Sequence, residues 1–120
     1  MLEQIPDLPD NVIGIKAIGD VEDDDYEDML VPEIEDRLER HDKIRLLYVL
    51  GPEFEGYEAE AMWEDMKLGM KTFTSYERIA IVTDSAWIRR SVKAFGWLMP
   101  GDVKVFAVAD VGGARLWIVD

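Results

Sequence analysis

The stretch Ile79 to Arg90, IAIVTDSAWIRR, is where side chains able to do chemistry fall closest together. It carries the hydroxyls of Thr83 and Ser85, the carboxylate of Asp84, the indole of Trp87 and the guanidinium groups of Arg89 and Arg90. The apolar run before Thr83 reads as a strand and the residues after Ser85 as a helix. The trio therefore stands at the carboxyl end of a strand, where ligands collect in parallel sheets and helix N-termini offer free amides. A helix start also needs an acceptor for its first amides, and Asp84 or Ser85 supplies one without any ligand. Capping is the first expectation for the trio, and its position makes it a candidate site as well. The neighbouring loop, Gly51 to Gly56, contributes Phe54 and leads to Tyr57, which makes this edge aromatic. Tryptophan suits either a ligand wall or self-packing. If a small ligand binds here, Thr83 and Asp84 are expected as polar anchors, Phe54 and Trp87 as apolar walls, and Arg89 as an anion contact.

Other chemistries lack parts. There is no cysteine, hence no disulfide, thiolate nucleophile or zinc-thiolate site. The sole histidine, His41, follows Arg40 near a helix end, far in sequence from Ser85, so neither a serine-histidine triad nor a histidine-rich metal site can be assembled. The acidic run Asp20, Glu22, Asp23, Asp24 and Asp25 fails as a calcium loop, which would need glycine where Asp25 stands and glutamate where Val31 stands. Those carboxylates suit a helix N-terminus instead. Neither a dinucleotide fingerprint nor a phosphate-loop lysine is present. The expectation is a protein that is not an enzyme and uses neither metal nor cofactor.

Net charge is −13 over 120 residues and unevenly spread. Residues 1 to 60 carry 5 basic and 19 acidic groups, a balance of −14, and residues 61 to 120 carry 8 basic and 7 acidic groups, a balance of +1. Nucleic acid and anionic membrane are poor partners for such a chain. Arg89, Arg90 and Lys93 form the one basic patch on an expected helix, open to an acidic head group, a phosphate or the acidic half of another copy. Met62, Met66 and Met70 with Trp63 are spaced for a core-facing stripe.

The elements that must hold these residues follow from periodicity. Residues 2 to 5 and 11 to 18 read as an antiparallel hairpin, with Ile13, Ile15 and Ala17 on one face. From Asp20 the spacing is helical through Tyr26, Leu30, Ile34 and Leu38, and Pro32 must interrupt it. Ile44 to Leu50, 78 to 83 and 103 to 108 are too continuously apolar for strands with one wet face and read as buried parallel strands. Helices are expected over 58 to 71 and over Ala86 to about Leu98. A short one is expected over Asp110 to Val119, weakened by Gly112-Gly113. Strands alternating with helices after a hairpin imply right-handed crossovers and an α/β fold with a mostly parallel sheet.

The order of hairpin, DDDYEDMLVPEIEDRL, KIRLLYVLG, MWEDMKLGMK, ERIAIVTDSAWIR, VKVF and short terminal helix resembles the SpoIIAA-like family of small bacterial proteins, also described as STAS/SEC14-like. The resemblance covers essentially the whole chain. It implies one SpoIIAA-like domain over residues 1 to 120, with four or five strands flanked by helices, as in anti-sigma-factor antagonists and the lipid-binding lobe of CRAL-TRIO proteins. Those relatives bind a partner protein or enclose an apolar ligand. The antagonists switch through a phosphorylatable serine after a central strand, whereas the corresponding connection here, GPEFEGYEAEAM, has no serine or threonine. Phosphoserine switching is not expected at that loop. The reading is a cytoplasmic binding or regulatory domain, taking a small apolar or acidic ligand at the carboxyl edge of the sheet. The alternative is a protein interaction module, a homodimer without a small-molecule pocket.

Overall fold

The computed structural model describes residues 1–21, 23–51, 54–57, 76–95 and 101–120. The central strand, β4 (Ile44–Leu50), is buried at every position except Arg45, as its unbroken apolar sequence requires. It is flanked by β2 (Val12–Ala17) and β6 (Tyr76–Thr83), both parallel to it. Outside these lie β1 (Leu2–Gln4), antiparallel to β2, and β7 (Asp102–Phe106), parallel to β6, giving the order β1-β2-β4-β6-β7. The opening hairpin and the three parallel apolar strands stand as the sequence implies.

A second, two-stranded sheet pairs β3 (Gly19–Val21) with β5 (Phe54–Tyr57), again in parallel. Gly51 to Gly56, expected as a loop, is instead strand from Phe54 onward. Each strand follows its predecessor almost at once, so β3 and β5 extend the β2–β4 pairing past the carboxyl edge. The offset between partners grows on the way, from Lys16↔Val49 to Gly19↔Phe54.

The sheet advances in one direction from β2 to β7, and right-handed crossovers then place their helices on one face. The first crossover begins as α1 (Asp23–Asp25), widens into a π turn at Tyr26–Leu30 and continues as α2 (Val31–Leu38). Pro32 falls in the first turn of α2, where its missing amide costs nothing, and the π turn before it absorbs the interruption. Leu30 and Ile34 are buried against Ile13, Ile15, Leu46, Tyr48 and Leu50, and Leu38 packs beside them. Helix α3 (Ala86–Phe95) adds Ile88 to this core. The helix expected over 58 to 71, with Met62, Trp63, Met66 and Met70, lies outside the described residues, as do residues 96 to 98 of the helix expected from Ala86.

The opposite face is covered by α4 (Val111–Val119), entered through a 3-10 turn at Val108–Asp110. Ala114 and Ile118 bury against Val12, Leu47, Val49, Ala80, Val82 and Phe106. That burial outweighs the roughly 1 kcal/mol that each of Gly112 and Gly113 costs a helix relative to alanine. The end of α4 lies over Arg45 and Arg78, which are direct partners on β4 and β6. Arg45 Nη1 donates to the Ile118 carbonyl at 2.9 Å and Arg78 Nη1 to the Trp117 carbonyl at 2.9 Å. Two like charges side by side are thus met by the negative end of a helix dipole. Arg45 also pairs with Glu77 at 2.6 Å, and Arg78 lies 5.3 Å from the centre of the Trp117 ring.

Ile5 and Leu8 complete this second core where the chain between β1 and β2 crosses β2. Gly14 permits the crossing, because a Cβ there would stand 2.5 Å from Leu8 Cδ1 and 2.9 Å from Ile5 Cβ. Gly14→Val is expected to lower the unfolding free energy by about 2 kcal/mol through overpacking, read from the urea midpoint of the full chain.

Candidate functional site

At the carboxyl end of β6 the polar trio is committed to the backbone. Thr83 is 1% exposed, and its Oγ1 accepts from the Ser85 amide at 3.1 Å. Ser85 opens α3, accepting the Ile88 amide on its hydroxyl at 3.5 Å and the Arg89 amide on its carbonyl at 3.1 Å. Asp84 reaches across to the next connection, where its Oδ1 accepts from the Val108 amide at 3.1 Å. That bond ends β7 at Phe106 and turns the chain into the 3-10 turn before α4. The trio is therefore a seam, and it joins two neighbouring strand exits.

Arg89 is drawn toward the seam, donating from Nη1 to the Thr83 carbonyl at 3.3 Å. It also lines a cavity of about 590 Å³ between α3 and β7, with Ala86, Arg90, Val92, Lys93 and residues 103 to 105. Ala86, Arg89, Arg90 and Lys93 recur at the spacing of one helix face. That face borders β7, the outermost strand of the sheet. Val103 and Val105 alternate with Lys104, whose ammonium lies 5.2 Å from the centre of the Phe106 ring and 5.9 Å from that of Trp117, on the side covered by α4. The cations facing the groove are therefore Arg89, Arg90 and Lys93. All three are exposed, and among the described residues none has an acidic partner.

Of the five residues named from sequence, Arg89 lines the groove and Thr83 holds Arg89 from beneath. Asp84 faces the β7–α4 connection instead. Trp87 occupies the first turn of α3, and Phe54 opens β5, which continues from β4, two strands from β7. The side chains of Phe54 and Trp87 lie outside the described part of the structure. Val103 and Val105 were missed as groove walls, because apolar residues on an outermost strand have the same pattern as core.

His41 sits with Asp10, Asp36, Arg37 and Arg40 where α2 ends and β2 begins. Its Nε2 is 2.8 Å from Asp10 Oδ2, and Arg40 bridges the Asp10 and Asp36 carboxylates. Arg37 donates to the Asp10 and Val12 carbonyls and pairs with Glu33. This is a staple at the amino edge, remote from Thr83. Among the described residues no three histidine, aspartate or glutamate side chains converge as a cation site. No helix among them is long and apolar enough to cross a membrane.

A five-stranded, mostly parallel sheet with crossover helices on one face and a terminal helix on the other defines an α/β domain of the SpoIIAA type. The profile of that family, described as SpoIIAA-like, matches residues 12–119, and the chain belongs to it. It is similar to the crystal structure of an uncharacterized protein of the DUF3478 family with a SpoIIAA-like fold from Shewanella loihica PV-4. The two share 28% identity over 98% of this chain and 92% of that one, with a TM-score of 0.78. No match was found among curated proteins.

Two outcomes follow from these bonds. Ser85→Ala removes a helix cap and is expected to cost about 1 kcal/mol in urea unfolding. The hydrogen bond from Arg40, and then that from His41, hold the Asp10 carboxyl far below its usual range; Arg40 lowers Asp36 likewise. A carboxyl depressed in the folded state stabilises above its unfolded pKa of about 4, and that contribution disappears as pH falls. Asp10→Asn should therefore lower the urea midpoint at neutral pH, and its difference from wild type should shrink as pH falls below about 4.

Proposed function

We propose that this is a non-enzymatic binding domain with a regulatory role, and that the groove between α3 and β7 receives a small ligand with an anionic group and an apolar body. The observation that carries this reading is the meeting of Arg89, Arg90 and Lys93 with Ala86, Val92, Val103 and Val105 in one cleft. Its volume of about 590 Å³ is ordinary for a small-molecule site. Cations without acidic partners are notable in a chain of net charge −13, where acids are abundant. The anion sits against Arg90 and Lys93, and Arg89 is aimed by the Thr83 carbonyl. Trp87, next to Ala86 in the chain, is the residue whose type suits an apolar wall for the ligand.

Decanoate is a suitable probe, titrated calorimetrically into the full chain. Binding is expected, stronger than for decanol and weakened by salt because exposed charges are screened. Arg90→Ala with Lys93→Ala should weaken decanoate by about tenfold or more, since hydrogen bonds to charged groups contribute roughly 1.5–3 kcal/mol each. Absence of decanoate binding, or equal binding by the double variant, would overturn the assignment. Unchanged affinity in Trp87→Ala would remove that wall from it.

A further inference from the structure

We propose that the outward face of α4 is a homodimer contact, in which Leu116 and Val119 meet their equivalents across a twofold axis. Reciprocal Asp7–Arg115 ion pairs fix the register. Most amphipathic helices turn one stripe to the core and a polar stripe to water. Helix α4 does not. Ala114 and Ile118 are 0% exposed on the inner side, Leu116 and Val119 on the outer side are 73% and 42% exposed, and Val111, at the helix start, is 38% exposed. Three of the four exposed large apolar residues among the described part of the chain thus lie on one nine-residue helix. A helix apolar on both sides is one that a further layer covers.

The shape of the patch says what that layer is. Leu116 and Val119 stand beside a depression of about 470 Å³, which they share with Leu8, Gly112, Asp7 and Arg115. A Cβ placed on Gly112 would have no atom within 4 Å, so another backbone can approach closely there. A projecting leucine next to its own hollow is self-complementary. Under a twofold axis Leu116 of each copy enters the hollow of the other, and the contact closes without leaving a free surface to propagate.

Charge points to the same occupant. Copies of a chain with net charge −13 repel one another over most of their surface. They can meet where the surface is locally balanced. Asp7 and Arg115 frame the depression with opposite sign, and among the described residues neither has an ion-pair partner within its own chain. In the twofold arrangement Arg115 of one copy faces Asp7 of the other, twice. An anionic membrane, the other surface that an apolar helix face fits, is disfavoured by the net charge.

Sedimentation velocity of the full chain between about 1 and 100 µM tests this, because a contact built on so few apolar side chains suits a weak, micromolar dimer. A monomer-to-dimer transition is expected. Leu116→Asp should abolish it without lowering the unfolding midpoint, since that side chain is 73% exposed. Arg115→Glu should weaken association by about tenfold or more, and its combination with Asp7→Lys should restore it. Asp7 has a φ of 65°, so lysine there is strained. If the combined variant loses stability, Arg115→Glu alone decides: sodium chloride at about 0.5 M should then strengthen its association more than that of wild type, by screening the contact between like charges. Wild type that stays monomeric to about 100 µM overturns the proposal, as does a dimer indifferent to Leu116→Asp. A dimer that neither the combined variant nor salt restores overturns the Asp7–Arg115 pairing.

Discussion

The structure depends on β4 being surrounded by apolar matter on both faces. A strand with the sequence IRLLYVL has no wet side, so it can exist only with a layer above and a layer below. On one side Leu46, Tyr48 and Leu50 meet α2, the turn before it and the flank of α3. On the other, Leu47 and Val49 meet a much thinner cover, made from α4 and the crossing segment at Ile5 and Leu8. Each fully buried aliphatic residue contributes about 1.5–3 kcal/mol, so the second layer matters despite its size. The short helix and the N-terminal crossing are therefore parts of the core.

The same arrangement separates charges that serve the fold from charges left, among the described residues, without an acidic partner. At the amino edge, Arg37 and Arg40 hold the entry to β2 against the end of α2, and all their described partners are acids and carbonyls of the chain itself. At the carboxyl edge, Thr83, Asp84 and Ser85 serve the backbone. Arg89, Arg90 and Lys93 are left facing a cleft walled by valines. The exposed cations thus stand at the flank of the sheet, beside its last strand, and not at the strand end.

Much of this was legible in the chain and some could not be. The apolar runs at 44–50 and 79–83 allow no other reading, and the order of strands and helices limits the topology to a few. Pro32 announced an interruption, although not that a π turn would absorb it. Helix α4 forms despite its glycine pair because Ala114 and Ile118 are buried, a tertiary effect that propensity does not contain. The β3–β5 pair was hidden because GDV and FEGY are short and glycine-bearing, and they pair only because β2 and β4 already bring them together. Arg89 and Lys93 were visible as neighbours on one helix face. That they face Val103 and Val105 depends on β7 being outermost, which no local pattern encodes.

Arg45 and Arg78 stand shoulder to shoulder on adjacent strands, and the carbonyls that accept from them belong to Trp117 and Ile118, in the last turn of α4. Without those carbonyls two mutually repelling guanidinium groups would stand over an uncovered sheet face. Helix α4 is therefore the clasp on this side of the sheet, and the two arginines are what it grips.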